Sequence, residues 1–176
     1  MLPSETMIEF ILGGARSGKS TLAEQKALAS NLAVTYIATA DAADIAGDAE
    51  MAARIAHHRA QRPVEWLLIE EPLHLATLLK TLAAPDRLLL VDCLTLWLSN
   101  LLHKGDLLKE TQHLLDTLPT LPGHVILVSN EVGMGIVPLG ELTRRYVDEA
   151  GRLHQGVAAI ADKVTFVAAG IPLQLK

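Results

Sequence analysis

Apolar residues fall into two kinds of stretch that alternate along the chain. Short, nearly unbroken runs at Ile8 with Phe10 to Leu12, Ala33 to Ala38, Trp66 to Ile69, Arg87 to Val91, His124 to Val128, Val164 to Ala168 and Pro172 to Leu175 read as strands. Between them, apolar residues recur every three or four positions, and these spacings predict helices over Thr21 to Ala29, Glu50 to Gln61, Leu73 to Ala83, Cys93 to His103, Leu107 to Leu118 and Glu141 to Ala161. The helix from Glu50 stops before Pro63, and Asp41 to Ala49, rich in Ala, Asp and Gly, reads as a loop. Strands alternating with helices predict an α/β fold, a mostly parallel central sheet with helices on both faces. The run at Arg87 to Val91 is the most apolar and is expected at the centre. Such sheets bind ligands beyond the carboxyl ends of their strands. There are no repeats or linkers, so residues 7–176 are expected to form one domain behind a short tail, residues 1–6.

Composition narrows the classes. Hydrophobic residues make up 50% of the 176 and charged residues 20%, which is the balance of a folded globular protein. The formal net charge of −5 argues against a nucleic-acid binder, although Arg54, Arg59 and Arg62 form a local basic cluster. A single cysteine, Cys93, excludes an internal disulfide and suits a reducing compartment. The opening six residues have neither a basic start nor an apolar stretch. Leu88 to Leu102 is interrupted by Asp92, Thr95, Ser99 and Asn100, so no membrane span is expected. A cytoplasmic protein is the expectation.

The chemistry is most legible at Gly13-Gly14-Ala15-Arg16-Ser17-Gly18-Lys19-Ser20, which fits the phosphate-loop pattern G-x-x-x-x-G-K-[ST] between a strand and a helix. Glycines let successive backbone N–H groups turn around phosphate oxygens, and the helix start adds positive potential. Lys19 would reach the β- and γ-phosphates, and the Ser20 hydroxyl would ligate Mg²⁺. Asp92 ends a strand expected beside the phosphate-loop strand, where a second Mg²⁺ contact belongs; capping of the next helix is the other reading. By helical spacing His57 shares a face with Glu50, Arg54 and Gln61, and His58 with Met51, Ile55 and Arg62. Both a surface pair without a role and a neutral nucleophile beside arginines fit that spacing. Ser129 to Pro138 joins polar groups to an apolar tip suited to a large, partly apolar substrate, and Glu131 there is either functional or simply exposed. Glu70 and Glu71 pose the same choice against capping. Arg145 and Arg152 share a face of the last helix, either solvated or phosphate-facing.

Several segments occur together in one order: the phosphate loop, Tyr36-Ile37-Ala38-Thr39, Glu50-Met51 with Arg54-Ile55 and His58-Arg59, Asp92-Cys93-Leu94-Thr95 with Trp97 and Asn100, and Ser129 to Pro138. The set resembles the bifunctional adenosylcobinamide kinase/adenosylcobinamide-phosphate guanylyltransferase family of cobalamin biosynthesis, from about Ile8 onward. The resemblance implies a RecA-like P-loop NTPase fold, a homotrimer, and ATP and GTP as substrates with Mg²⁺. It implies phosphorylation of adenosylcobinamide and then GMP transfer to its phosphate through a covalent GMP–histidine. The matching histidine is His58. Gly13 to Ser20, Ile37, Ala38, Thr39, Arg59, Ala60, Gln61, Arg62, Glu70 and Asp92 would contact nucleotide. Asp41 to Asp48 runs a few residues longer than is common in the family. The competing expectations are a small-molecule kinase without guanylyl transfer and a nucleotide-dependent switch.

Overall fold

The computed structural model describes residues 6–41 and 63–176. In chain order these form β1 (Met7–Gly13), α1 (Lys19–Ala29), β2 (Ala33–Ala38), β3 (Leu67–Glu70), α2 (Leu75–Leu82), β4 (Arg87–Asp92), α3 (Leu94–Lys104), α4 (Leu107–Thr117), β5 (His124–Asn130), α5 (Glu141–Ile160), β6 (Lys163–Ala168) and β7 (Ile171–Gln174). The seven strands make one sheet in the order β3-β2-β4-β5-β1-β6-β7, parallel except for the β6–β7 hairpin. The predicted helix over Glu50 to Gln61 lies outside the described residues.

Each central strand is apolar because both of its faces are covered. Leu89 and Val91 of β4, with Phe10, Leu12, Val125 and Leu127, pack with residues of α2, α3, α4 and α5. The intervening Leu88 and Leu90, with Ile11, Ile126 and Val128, face Ala23 and Ala27 of α1. The two-residue period of a strand thus splits one apolar run between two cores. Trp97, fully buried, is fixed by donating its indole N–H to the Leu73 carbonyl at 2.9 Å.

Two expectations change. The middle strand is β5, with β4 one place aside. Consequently β4 is not adjacent to the phosphate-loop strand: β5 lies between them, pairing Asp92 with Val128 on one side and Gly13 with Asn130 on the other. Apolar content reports burial on both faces and does not rank strands within a sheet, which is why the run at Arg87 misled.

At the opposite end of β1, Glu9 is buried and holds Lys26 at 2.7 Å and His124 at 3.1 Å. The neighbouring His124 imidazole outweighs burial and, with Lys26, lowers the Glu9 carboxyl from 4.5 to about 2. A depressed folded value stabilises the fold above the unfolded value, and that contribution disappears as pH falls from 4.5 towards 2. Glu9→Gln should therefore lower the unfolding free energy at neutral pH by about 2 kcal/mol. It should also flatten the acid decline across that window, as read by urea denaturation at a series of pH values.

Candidate active site

The phosphate loop joins β1 to α1, and several of its carbonyls are engaged. Gly13 O accepts from the Glu131 N–H at 3.0 Å, Ser17 O from the Gly170 N–H at 2.8 Å, and Gly14 O from the Ser17 N–H at 3.3 Å and the Lys19 ammonium at 3.1 Å. The β6–β7 turn, where Ala169 and Gly170 both hold positive φ, is what delivers the Gly170 donor. Gly18 caps α1 at φ 96° without a side-chain hydrogen bond, and no acidic residue occupies the first turn. The positive helix end therefore remains available to an anion. The Ser17 hydroxyl is buried with no hydrogen-bond partner among the described residues, and so is the Asn130 amide oxygen at the end of β5.

Lys19 is buried at the start of α1. Burial lowers its ammonium below the usual lysine range, and the Asp92 carboxylate opposes that shift. Asp92 accepts from the Tyr36 hydroxyl at 2.9 Å. It does not cap α3; that position is held by Cys93, which makes no side-chain capping bond. Across the sheet Ala38 is in register with Asp92 on one side and Glu70 on the other, so three predicted residues align at the carboxyl ends of β2, β3 and β4.

The remaining predicted residues divide. Ala15 and Arg16 are exposed at the loop tip. Ile37 puts its side chain into the core. Thr39 is fully buried; its hydroxyl donates to Cys93 O at 2.6 Å and accepts from Cys93 N, while Asn100 donates to its carbonyl at 2.7 Å. Glu70 is exposed at the end of β3, and Glu71 accepts from the Leu73 and His74 amides in the turn ahead of α2, short of the helix's own first-turn amides. Arg144 donates to the Pro138 and Leu139 carbonyls, Arg152 pairs with Glu149, and Arg145 is exposed. His58, Arg59, Ala60, Gln61 and Arg62, and most of the long stretch from Asp41 to Asp48, lie outside the described residues.

Sequence reasoning missed a buried polar line behind β5. Thr95 Oγ1 accepts from the Asn130 N–H at 2.7 Å and lies 3.2 Å from Ser129 Oγ, which lies 2.8 Å from His154 Nε2. His154 Nδ1 is 3.8 Å from Glu131 Oε2, and Glu131 Oε1 accepts from the Gly133 N–H at 2.6 Å. Burial pushes the His154 imidazole below its usual range, against the opposing pull of Glu131, and keeps it neutral. The available signal was spacing: His154 follows Ala150 by four and precedes Val157 by three, on the apolar face of α5. Beyond Glu131 the loop exposes Met134, Ile136, Val137 and Leu139. It forms one wall of a pocket of ≈ 260 Å³ that includes Arg144, Val147 and Asp148.

Comparison with known proteins places this geometry. Residues 9–175 match the family described as cobinamide kinase / cobinamide phosphate guanyltransferase. The chain is 60% identical to the bifunctional adenosylcobalamin biosynthesis protein CobP of Pseudomonas aeruginosa, covering 97% of this chain and 98% of that protein. It is 39% identical to the CobU protein of the same description from Escherichia coli, over 97% of this chain and all of the relative. Among solved structures, the RadB recombinase superposes with a TM-score of 0.52 at 19% identity, covering 93% of this chain and 74% of that one. A KaiC-like protein of Pyrococcus horikoshii gives 0.50 at 16% identity over 91% and 70%. These two likenesses support the RecA-like P-loop fold alone.

The two leading glycines separate loop packing from other roles. A Cβ on Gly13 would lie 2.5 Å from Ser17 Oγ and 2.6 Å from the Val167 carbonyl, whereas one on Gly14 meets nothing within 4 Å. Gly13→Ala should lower the thermal midpoint by about 4–8 °C, corresponding to roughly 2 kcal/mol. Gly14→Ala should leave it within about 1 °C in the same calorimetric scan.

Proposed function

Because the chain belongs to the cobinamide kinase / cobinamide phosphate guanyltransferase family, whose curated members are bifunctional transferases of adenosylcobalamin biosynthesis, we propose that one phosphate site serves both of its reactions. In the first, the hydroxyl of the aminopropanol arm of adenosylcobinamide attacks the γ-phosphorus of a nucleoside triphosphate, ATP or GTP, and a nucleoside diphosphate leaves. In the second, the neutral imidazole of His58 attacks the α-phosphorus of GTP and pyrophosphate leaves. The cobinamide phosphate then takes the GMP from the histidine, giving adenosyl-GDP-cobinamide and free imidazole. A histidine intermediate splits one displacement into two, with imidazole as nucleophile and then leaving group.

The observation that carries this reading is the phosphate loop itself, with the Gly13 and Ser17 carbonyls tied to β5 and the β6–β7 turn and α1 free of a side-chain cap. Gly13 to Ser20 would hold the triphosphate, and Lys19 would neutralise the β- and γ-phosphates. Ile37 to Thr39, Arg59 to Arg62, Glu70 and Asp92 are the remaining nucleotide contacts in this reading. Among the described residues no group of three or more His, Cys, Asp or Glu could hold a metal by itself. Ser20 and Asp92 offer one hydroxyl and one carboxylate, hard oxygen donors suited to a Mg²⁺ that arrives with the phosphates. Held there, a divalent ion would supply positive charge to offset that developing on the transferred phosphate. Met134, Ile136 and Val137 would give the corrinoid an apolar surface. Among the described residues no helix is long and apolar enough to cross a membrane. The assembly inferred from family likeness is a cytoplasmic homotrimer.

Incubation with adenosylcobinamide and GTP should yield the nucleotidylated corrinoid by mass spectrometry; absence of that product would overturn the reading. With α-labelled GTP the wild-type protein should acquire an acid-labile, alkali-stable label. His58→Ala should lose this label by at least about a hundredfold while phosphorylating cobinamide within a few fold of wild type. Equal labelling of the variant would remove His58 from the mechanism.

A further inference from the structure

The kinase step releases a proton from the attacking hydroxyl, and the carboxyl ends of the strands present three carboxylates that could take it. Neighbouring strands lie about 4.8 Å apart, so strand order fixes how far the backbone at each one stands aside from β1. Glu70 ends β3, four strands from β1, about 19 Å aside; Asp92 ends β4, two strands and about 10 Å aside. Asp92 is also engaged by the Tyr36 hydroxyl and by the charge of Lys19. Glu131 follows β5, the neighbour of β1, and its own N–H is bonded to Gly13 O. Its Oε1 is held by the Gly133 N–H, and His154 Nδ1 stands 3.8 Å from Oε2. It also stands at the root of the loop that exposes Met134, Ile136 and Val137, so an acceptor lying on that loop would bring its reactive arm past this carboxylate.

The polar line behind Glu131 has one consistent direction. A neutral imidazole carries a single N–H, and the carboxylate beside Nδ1 favours the proton there. Nε2 then accepts from the Ser129 hydroxyl, Ser129 Oγ accepts from Thr95, and Thr95 Oγ1 accepts from the Asn130 N–H. Each hydroxyl donates once and accepts once. The line ends with His154 Nδ1 3.8 Å from Glu131 Oε2, a gap that a shift of about 1 Å closes, as catalytic contacts often tighten when substrate binds. Ser129 is fully buried, so this serine–histidine pair is not a nucleophile.

Building on the kinase reading above, we propose that Glu131 accepts the proton of the attacking cobinamide hydroxyl, and that His154 is the positioning residue that aims its carboxylate. As the new O–P bond forms, the bond from the γ-phosphorus to its bridging oxygen breaks and the electron pair leaves with the nucleoside diphosphate. The hydroxyl proton passes to Glu131 Oε2. Neither guanylyl step removes a hydroxyl proton, because the nucleophiles there are an imidazole and a phosphate. The demand on Glu131 is therefore selective.

The test compares two rates in each full-length variant: cobinamide phosphorylation and labelling of the protein by α-labelled GTP. In Glu131→Gln the ratio of kinase kcat to labelling rate should fall by about 10²–10³, with KM for cobinamide within about threefold. His154→Leu should lower kinase kcat by about tenfold, again without a matching change in KM. His154→Asn, which restores a donor where Nδ1 stood, should recover most of that loss. Because His154→Leu also disturbs a buried network, the thermal midpoint is recorded for all three, and the Asn variant decides the question if the Leu variant fails to fold. Kinase and labelling rates that fall together in Glu131→Gln would make the residue a nucleotide ligand and overturn the proposal. A Glu131→Gln kinase rate within threefold of wild type would do the same. A wild-type chain that phosphorylates no cobinamide at all would overturn the kinase reading beneath it.

Discussion

The structure depends on keeping the carbonyls of one short loop turned away from the site. A loop that cradles phosphate must present N–H groups inward, and every carbonyl it turns inward would repel the ligand. Here the outward orientation is enforced by neighbours: Glu131 at the end of β5 takes up Gly13 O, and Gly170 in the β6–β7 turn takes up Ser17 O. Both donors are placed by the sheet order, since β5 and β6 flank β1. The unusual economy of this arrangement is that fold and site share the same hydrogen bonds. Gly13 is tightly enclosed for the same reason, with the Val167 carbonyl where a side chain would begin.

Chemical character then spreads from the loop along the carboxyl edge of the sheet. Lys19 and Asp92 bring opposite charges to the phosphate end, and burial weakens the lysine charge that Asp92 sustains. The buried Ser17 hydroxyl and Asn130 amide oxygen lack hydrogen-bond partners among the described residues, a cost of about 1–3 kcal/mol each that a polar ligand can repay. Behind them, Thr95, Ser129 and His154 satisfy one another beside an otherwise apolar core. A polar line of this kind is favourable only when each member is paired, and its rigidity is what it contributes to Glu131. Electrostatics and packing therefore converge on the same two strand ends, those of β1 and β5.

Much of this was legible in the chain. Seven apolar runs became seven strands, and the inner ones are apolar throughout because a parallel sheet with two covered faces needs residues that are apolar on both. The phosphate loop was legible because its pattern is local: each requirement is met within eight consecutive residues. Strand order was not, since the apolar content of Leu88 to Val91 and of Val125 to Val128 does not say which neighbours β1. His154 and Ser129 were invisible as a pair for a related reason. They are 25 residues apart on different elements, and a histidine on the apolar face of a helix gives no sign of what meets it. That Glu131, and not Asp92, follows the strand beside β1 emerged only once β5 was seen to separate β4 from β1. The membership of the chain in its family was legible from the combination of motifs, and the match across residues 9–175 agrees with it.

The central claim is that a single phosphate loop serves two reactions. Lys19→Ala tests it most directly, because this ammonium belongs to the loop and to neither acceptor. Cobinamide phosphorylation and formation of the protein–GMP adduct are measured side by side on the purified variant, with thermal unfolding to verify that it is folded. The account predicts that both rates fall together, each by about a hundredfold or more, as loss of a phosphate-binding charge requires. Survival of either reaction near its wild-type rate would show that the two nucleotides use different sites.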